Sequence, residues 1–340
     1  MHLSNDHIDV LINESLRQED KETIFHLWNN GYPSELAYHD ISGLESYLKG
    51  VDEALHYFLH HEGFYAWSMV FKRDGEYWFA IIVDAHIQKK GIGKSLLNFI
   101  KKEHPVLNGW VIESNAHQTK SGQPYISPLQ FYVQDGFDVI QDVHLNLPQF
   151  SAVKITCRSE KPKYIFTTAR LGLRNWQFAD LTEMAKISAD EEVMAFFPST
   201  QNRNYVLDFI KRMKAEYSQK GFCYFAVDHL ESGNMIGFIG MHEQTFEADF
   251  TPCIDIGWRL NKTFWNKGFA TEGAVACLQY GFQDLKIDQI YSITPKVNIK
   301  SQRIMQKIGM EYVKDFEFVL LKDDERLKNT VLYLIEKEKF

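Results

Sequence analysis

Cysteine is scarce. Four residues in 340, Cys157, Cys223, Cys253 and Cys277, stand far apart with no CxxC spacing. That excludes a disulfide framework, argues against a thiolate zinc site and suits a reducing, cytoplasmic setting. Excess positive charge is missing too: 37 Lys plus Arg against 45 Asp plus Glu leave −8 at neutral pH. Such a balance is not that of a nucleic-acid backbone binder. There is no run of about 20 apolar residues, so no membrane span is expected. The start, Met1-His2-Leu3-Ser4-Asn5-Asp6, lacks the basic-then-apolar order of a signal peptide. The 13 histidines are scattered except for His60-His61. Adjacent side chains point apart on helix or strand, so no metal site is expected.

What is present is a globular composition, 45% apolar and 24% charged, over a length that suits two domains of about 100–200 residues each. The polar, proline-bearing stretch Arg158-Ser159-Glu160-Lys161-Pro162-Lys163 separates two apolar segments, which predicts domains at 1–160 and 161–340.

The halves repeat one another. In the first, a strand-like run at 77–83 leads into Gln88-Lys89-Lys90-Gly91-Ile92-Gly93, then a helix with Ile92, Leu96 and Ile100 on one face. In the second, a run at 253–260 leads into Trp265-Asn266-Lys267-Gly268-Phe269-Ala270, then a helix with Ala270, Ala274, Leu278 and Phe282. Each half adds a further strand and helix, at 109–113 and 127–136, and at 289–294 and 298–309. The second helix closes on a glycine, Gly136 or Gly309, 45 and 41 residues after Gly91 and Gly268 respectively.

A strand, a glycine loop and a helix start together form a phosphate-binding arrangement, because backbone N–H groups and the positive helix end face the anion. The dinucleotide fingerprint needs a third glycine where Leu96 stands, and the P-loop needs one where Gln88 stands, so both readings fail. Gln88-x-x-Gly91-x-Gly93 after a strand, with Phe131-Tyr132-x-x-x-Gly136-Phe137 further on, resembles motifs A and B of the GNAT superfamily of N-acetyltransferases. The second half resembles the ribosomal-protein N-terminal acetyltransferase branch. The matching segments are Thr168-Ala169-Arg170-Leu171-Gly172-Leu173-Arg174, Glu192-Val193-Met194-x-Phe196-x-Pro198, Trp265-x-Lys267-Gly268-x-Ala270-Thr271-Glu272 and Asn298-x-x-Ser301-x-Arg303-x-Met305-x-Lys307-x-Gly309-Met310.

The resemblance implies an α/β fold of two tandem domains. Each would be a mixed, mainly antiparallel sheet flanked by helices, with two central parallel strands splayed to admit a pantetheine arm. It implies direct transfer of acetyl from acetyl-CoA to a primary amine, either a peptide α-amine or a small-molecule amine. The cofactor residues would be Ile81, Val83, Gln88, Lys89, Lys90, Gly91, Ile92, Gly93, Lys94 and Ser95 in the first half. In the second they would be Trp258, Leu260, Asn266, Lys267, Gly268, Phe269, Ala270, Thr271, Asn298, Ser301 and Arg303, with Asn298 on the pantetheine arm. Trp265 stands where motif A has Gln or Arg and is expected to pack. The acid that protonates the leaving thiolate would be Ser301 or, in the first half, Tyr132; Met305 stands at the position matching Tyr132 and carries no proton. Asp255, 13 residues before Gly268, is the candidate base, with Glu76 the corresponding choice in the first half. A different class of function is that one copy is catalytically degenerate and serves as a CoA-binding or regulatory module.

Overall fold

The computed structural model describes residues 10–159 and 163–340. The start read for a leader and residues 160–162 of the expected linker lie outside them. The chain divides into two compact units, Met1–Lys161 and Pro162–Phe340.

The first unit runs β1 (Val10–Asn13), α1 (Gln18–Gly31), α2 (Ile41–Lys49), β2 (Asp52–His61), β3 (Phe64–Arg73), β4 (Glu76–Val83), α3 (Ile92–Glu103), β5 (Val106–Ile112), α4 (Leu129–Gln134), β6 (Asp138–Asn146) and β7 (Ser151–Arg158). The second runs β8 (Phe166–Thr167), β9 (Leu171–Arg174), α5 (Leu181–Ala189), α6 (Arg203–Lys220), β10 (Tyr224–His229), β11 (Asn234–Gln244), β12 (Cys253–Leu260), α7 (Phe269–Gln279), β13 (Gln289–Pro295), α8 (Ile299–Lys307), β14 (Glu311–Glu317) and β15 (Asn329–Glu336).

The sheet orders are β1-β2-β3-β4-β5-β7-β6 and β8-β9-β10-β11-β12-β13-β15-β14, one topology with β8 added at an edge of the second sheet. Every pairing is antiparallel except one in each sheet. β4 meets β5 in parallel only at Trp78 and Asn108, and β12 meets β13 only at Asp255 and Tyr291. Beyond these contacts the strands separate toward the glycine loops. Trp78 and Asp255 each stand 13 residues before their loop glycine, so both sheets open at the same place. This is the α/β arrangement, with its splayed central pair, that the motifs imply.

Local sequence explains the elements around each splay. In α3, Ile92, Leu96, Leu97 and Ile100 are buried on one face, as the four-residue spacing requires. In α7 the buried face is Phe269, Gly273, Ala274, Cys277 and Leu278, while Ala270 is only half-buried. Of the expected face, Ala274, Leu278 and Phe282 are buried, and the face widens to take in Phe269, Gly273 and Cys277 because α7 starts at Phe269 and that larger side chain enters the core. The helices α4 and α8 end alike. Gly136 (φ 84°) and Gly309 (φ 88°) take left-handed conformations, and the next residues, Phe137 and Met310, donate back to Tyr132 and Met305.

The second unit is tied at β9 by a buried ion network. Arg174 donates from Nη1 and Nη2 to Asp180 (2.8 Å each) and from Nε and Nη2 to Asp228 (2.8 Å each), with all three residues at most 5% exposed. Arg174→Met would leave two buried carboxylates without their cation. It is expected to cost about 3–5 kcal/mol, read as a lower denaturant midpoint for unfolding of this unit.

Candidate active site

The two glycine loops share one backbone path. Each strand ends in an Asx turn, Asp84 accepting from His86 N–H and Asn261 from Thr263 N–H. Next come two left-handed residues separated by one, Lys89 (φ 59°) and Gly91 (φ 85°), or Asn266 (φ 58°) and Gly268 (φ 81°). Glycine is favoured at the second because it is the helix N-cap and has positive φ. A glycine N-cap has no side chain to accept from the first turn, so the N–H groups of Phe269, Ala270 and Thr271 face outward at the positive end of α7, as those of Ile92, Gly93 and Lys94 do at α3.

Trp265 does more than pack. Its indole N–H donates to the Leu260 carbonyl at 2.8 Å, and Gln88 in the first unit donates from its amide to the Val83 carbonyl at 3.0 Å. Both side chains tie the loop to the last residue of the strand, which is why the substitution keeps the loop intact. Arg170 braces the second loop further. It donates to the Lys267 carbonyl (2.9 Å) and to Glu272 (2.7 Å), and its guanidinium lies 4.3 Å from the Phe269 ring centre.

In the second unit a cavity of about 970 Å³ opens at the splay. That is the upper end of the range for small-molecule and cofactor sites. It brings together Trp258, Leu260, Asn266, Gly268, Phe269, Ala270 and Thr271 from strand and loop, Asn298, Ser301 and Arg303 from α8, and Asp255. Lys267 is not among its lining residues; the Lys267 ammonium lies over the Phe264 ring.

Asn298 caps α8 and is heavily bonded. Its Oδ1 accepts from Ser301 N–H (3.2 Å), and its Nδ2 donates to Thr294 Oγ1 and Ser301 Oγ (3.0 Å each). Both amide protons are thus used inside the protein, leaving one lone pair of Oδ1 for a further donor. The same geometry occupies the Ser301 oxygen as an acceptor and leaves its hydroxyl proton free to be donated.

Asp255 lies on a polar face of the sheet that sequence reading did not assemble. Cross-strand register sets Tyr224 opposite Gly240, Gly240 opposite Gly257, His242 opposite Asp255 and Phe238 opposite Arg259. The glycine at 257 matters: a Cβ there would meet the Tyr224 ring at 3.1 Å, so Gly257 lets that ring lie across the strand and place its hydroxyl 2.8 Å from Asp255 Oδ1. Asp255 is 5% exposed, and burial pushes its carboxyl up to about 6 despite the hydrogen bonds from Tyr224 and Gln244 that favour the anion. Behind it, His242 Nδ1 sits 2.5 Å from Glu216 Oε2 of α6. Arg259, on the same face, is pulled down to about 10 by burial. A cation in a central strand was the available signal for Arg259. Tyr224 and His242 carried none, since their place depends on register.

The first unit lacks this polar face. The positions of Tyr224, His242, Asp255 and Arg259 are taken by His56, Phe71, Trp78 and Ile82, and Gly240 by Met69. Phe71, Trp78, Ile82 and Met69 belong to one buried cluster with Trp67 and with Ile24, Leu27 and Trp28 of α1. Burial drops His56 to about 4, so it is neutral. Glu76 is the first residue of β4 and aligns with Cys253, not Asp255. Its carboxylate accepts from Lys154 (3.0 Å) and Asn108 (3.3 Å), away from the loop end of the strand. Tyr132 is buried, its ring 5.7 Å from that of Phe79 and 5.4 Å from that of Phe137. Ile81 and Val83 lie at the loop end of β4; Lys90 pairs with Glu62 (2.6 Å), Lys94 with Asp135 (3.5 Å), and Ser95 N–H closes the first turn of α3 onto Gly91.

Among the described residues no cluster of His, Cys, Asp and Glu could hold a metal, and no helix is long and apolar enough to cross a membrane.

Residues 170–311 match the model of the acetyltransferase (GNAT) domain. The chain is similar to the uncharacterized N-acetyltransferase YnaD of Bacillus subtilis, 29% identical over 173 residues that are 51% of this chain and 97% of the relative. It is also similar to the FsC-acetyl coenzyme A-N(2)-transacetylase of Aspergillus fumigatus, 30% identical over 73 residues, 22% of this chain and 30% of that protein. Among solved structures, a GNAT-family acetyltransferase from Bacillus anthracis matches at 25% identity and a TM-score of 0.44, covering 51% of this chain and 98% of that one. The family match lies on the glycine loop, the splayed strands and α8 of the second unit, and over that stretch the chain is similar to the GNAT acetyltransferases.

Proposed function

We propose that the second unit transfers acetyl directly from acetyl-CoA to a primary amine. The observation that carries this reading is the single cavity in which the helix N-terminus at Gly268, the Ser301 hydroxyl and the Asp255 carboxylate meet. The N–H groups at the start of α7 take the pyrophosphate, and the pantetheine arm lies between β12 and β13. The acceptor approaches from the face of Asp255 and Tyr224, and Asp255 takes the amine proton. As the tetrahedral intermediate collapses, Ser301 donates to the departing thiolate. Direct transfer is supported by the thiols: all four are buried, burial raises each above its ordinary value, and none lines the cavity.

Ser301→Ala tests this. It is expected to lower kcat by roughly 100-fold, the low end for a general acid, with little change in KM for acetyl-CoA, because the proton is given only as the sulfur leaves. An unchanged kcat in a thiol-release assay would remove Ser301 from the mechanism.

The filled face of the first unit favours a second reading for that half. We infer that it is a catalytically silent copy that still binds CoA. Its loop keeps the backbone path of the second, while the acceptor position is occupied by Trp78, Phe71 and Ile82.

A further inference from the structure

Arg259 is a half-buried cation without a counter-ion. It lines the cavity, and its guanidinium lies 4.2 Å from the Phe197 ring centre and 5.3 Å from that of Phe238. Its Nε is buried with no hydrogen-bond partner, and its polar contact is a long one, Nη1 to Ser188 Oγ at 3.4 Å. Among the described residues no carboxylate pairs with it. Nearby acids are already committed: Glu192, also in the cavity wall, and Asp190 both lie against Lys262. Stacking on two phenylalanines recovers only part of the hydration that a guanidinium loses on burial, so the site lacks an anion.

The cofactor phosphates are not that anion. They belong to the N-terminus of α7, which packs on the other face of the sheet. A Cβ on Gly273 of α7 would meet Ile239 at 2.4 Å, and Ile239 follows Phe238, the cross-strand partner of Arg259, so the two point to opposite faces. Arg259 therefore faces the acceptor. It stands two residues, about 7 Å, along the strand from Gly257, where the splay has opened, and Asp255 stands two residues to the other side. The walls there are aromatic: Phe197, Phe209, Phe238, Phe246 and Tyr205.

Resting on the acetyl-transfer reading above, we propose that the acceptor is an aminocarboxylate with an apolar or aromatic body, its carboxylate held by Arg259 while its amine lies toward Asp255. The fork of the guanidinium suits a carboxylate in a bidentate pair. The arrangement disfavours a polyamine, which would bring a second cation against Arg259.

Matched acceptors test this: phenylalanine, phenylalaninamide and phenethylamine, each assayed with the full chain and saturating acetyl-CoA. The wild type is expected to prefer phenylalanine by about 100-fold or more in kcat/KM, since a site built for a polar group rejects the analogue lacking it. Arg259→Gln is expected to lower kcat/KM for phenylalanine by a similar factor and to leave the amide within about threefold; Arg259→Lys should recover part of the loss. Equal use of all three acceptors by the wild type, or an equal fall for acid and amide in Arg259→Gln, overturns the proposal. A readout without turnover separates it from the catalytic reading. Calorimetric titration with N-acetylphenylalanine and its amide, in the presence of CoA, should give the same carboxylate preference, lost in Arg259→Gln. If that preference is present while no acceptor is acetylated, the transfer reading falls and the Arg259 site stands. If it is absent, the Arg259 site falls whatever the turnover.

Discussion

Replacing Asp255 by asparagine is expected to lower kcat by about 10²–10⁴-fold at pH 8 and, at the same pH, to make the second unit more stable. Both effects follow from one feature. Burial raises the Asp255 carboxyl from 3.8 to about 6, so the folded protein holds this proton more tightly than the unfolded chain does. The corresponding stability is complete below pH 4 and is lost as pH rises through 6. A shift of this size corresponds to about 3 kcal/mol. Asparagine keeps an acceptor for the Tyr224 hydroxyl and never ionises, so the variant should exceed the wild type by up to about 3 kcal/mol at pH 8, with the gap closing toward pH 4. The activity effect runs the other way. As the proposed base, Asp255 works only when ionised, so kcat/KM of the wild type should fall as pH descends through about 6, and the variant should lack that limb. Denaturant melts and rate profiles over pH 4–8 read both. A variant that is stabilised and fully active would leave Asp255 as a buried acid without a part in the reaction.

What sequence disclosed and what it did not divide along one physical line. The loops were legible because their chemistry is local: a strand end, two residues of positive φ and a helix start lie within about ten consecutive positions, and glycine marks the point where other residues are strained. The closing glycines Gly136 and Gly309 are local in the same way. The polar face that holds Asp255 is not. Tyr224, His242, Asp255 and Arg259 are drawn from three strands, and register alone decides that they share a face. A shift of one residue would send Asp255 to the other side, so no single segment announces the set. The pairing of Glu76 with Asp255 fails for a different reason, a spacing within one segment: counted from the loop glycine, Glu76 is two residues too early, and Trp78 holds the equivalent place. Trp265 shows a second limit. Tryptophan and glutamine look unrelated in sequence, yet each supplies one N–H donor to the carbonyl five residues back, and only the distances reveal the shared role.

Gly268→Asp and Gly91→Asp are expected to divide the two units cleanly. At each position an added carboxylate stands at the helix N-cap proposed to take the phosphate. Like charges brought together cost several kcal/mol, enough to weaken binding by more than about 100-fold. The backbone should survive. Aspartate tolerates positive φ better than most residues. A Cβ at 268 would come within 3.4 Å of Arg170 Nη2, a partner for the new charge, and at 91 it would meet nothing within 4 Å. If the first unit is a silent copy that binds CoA, the full wild-type chain should titrate with two CoA sites. Gly268→Asp should leave one site and no measurable acetyl transfer. Gly91→Asp should also leave one site but keep the wild-type kcat, because the face beside that loop is filled by Phe71, Trp78 and Ile82 rather than open to an amine. One site in the wild type, unaffected by Gly91→Asp, would mean that the first loop has kept its path without its ligand. A kcat lowered by Gly91→Asp would mean that the first unit acts on the reaction, and a silent role for it would have to be abandoned.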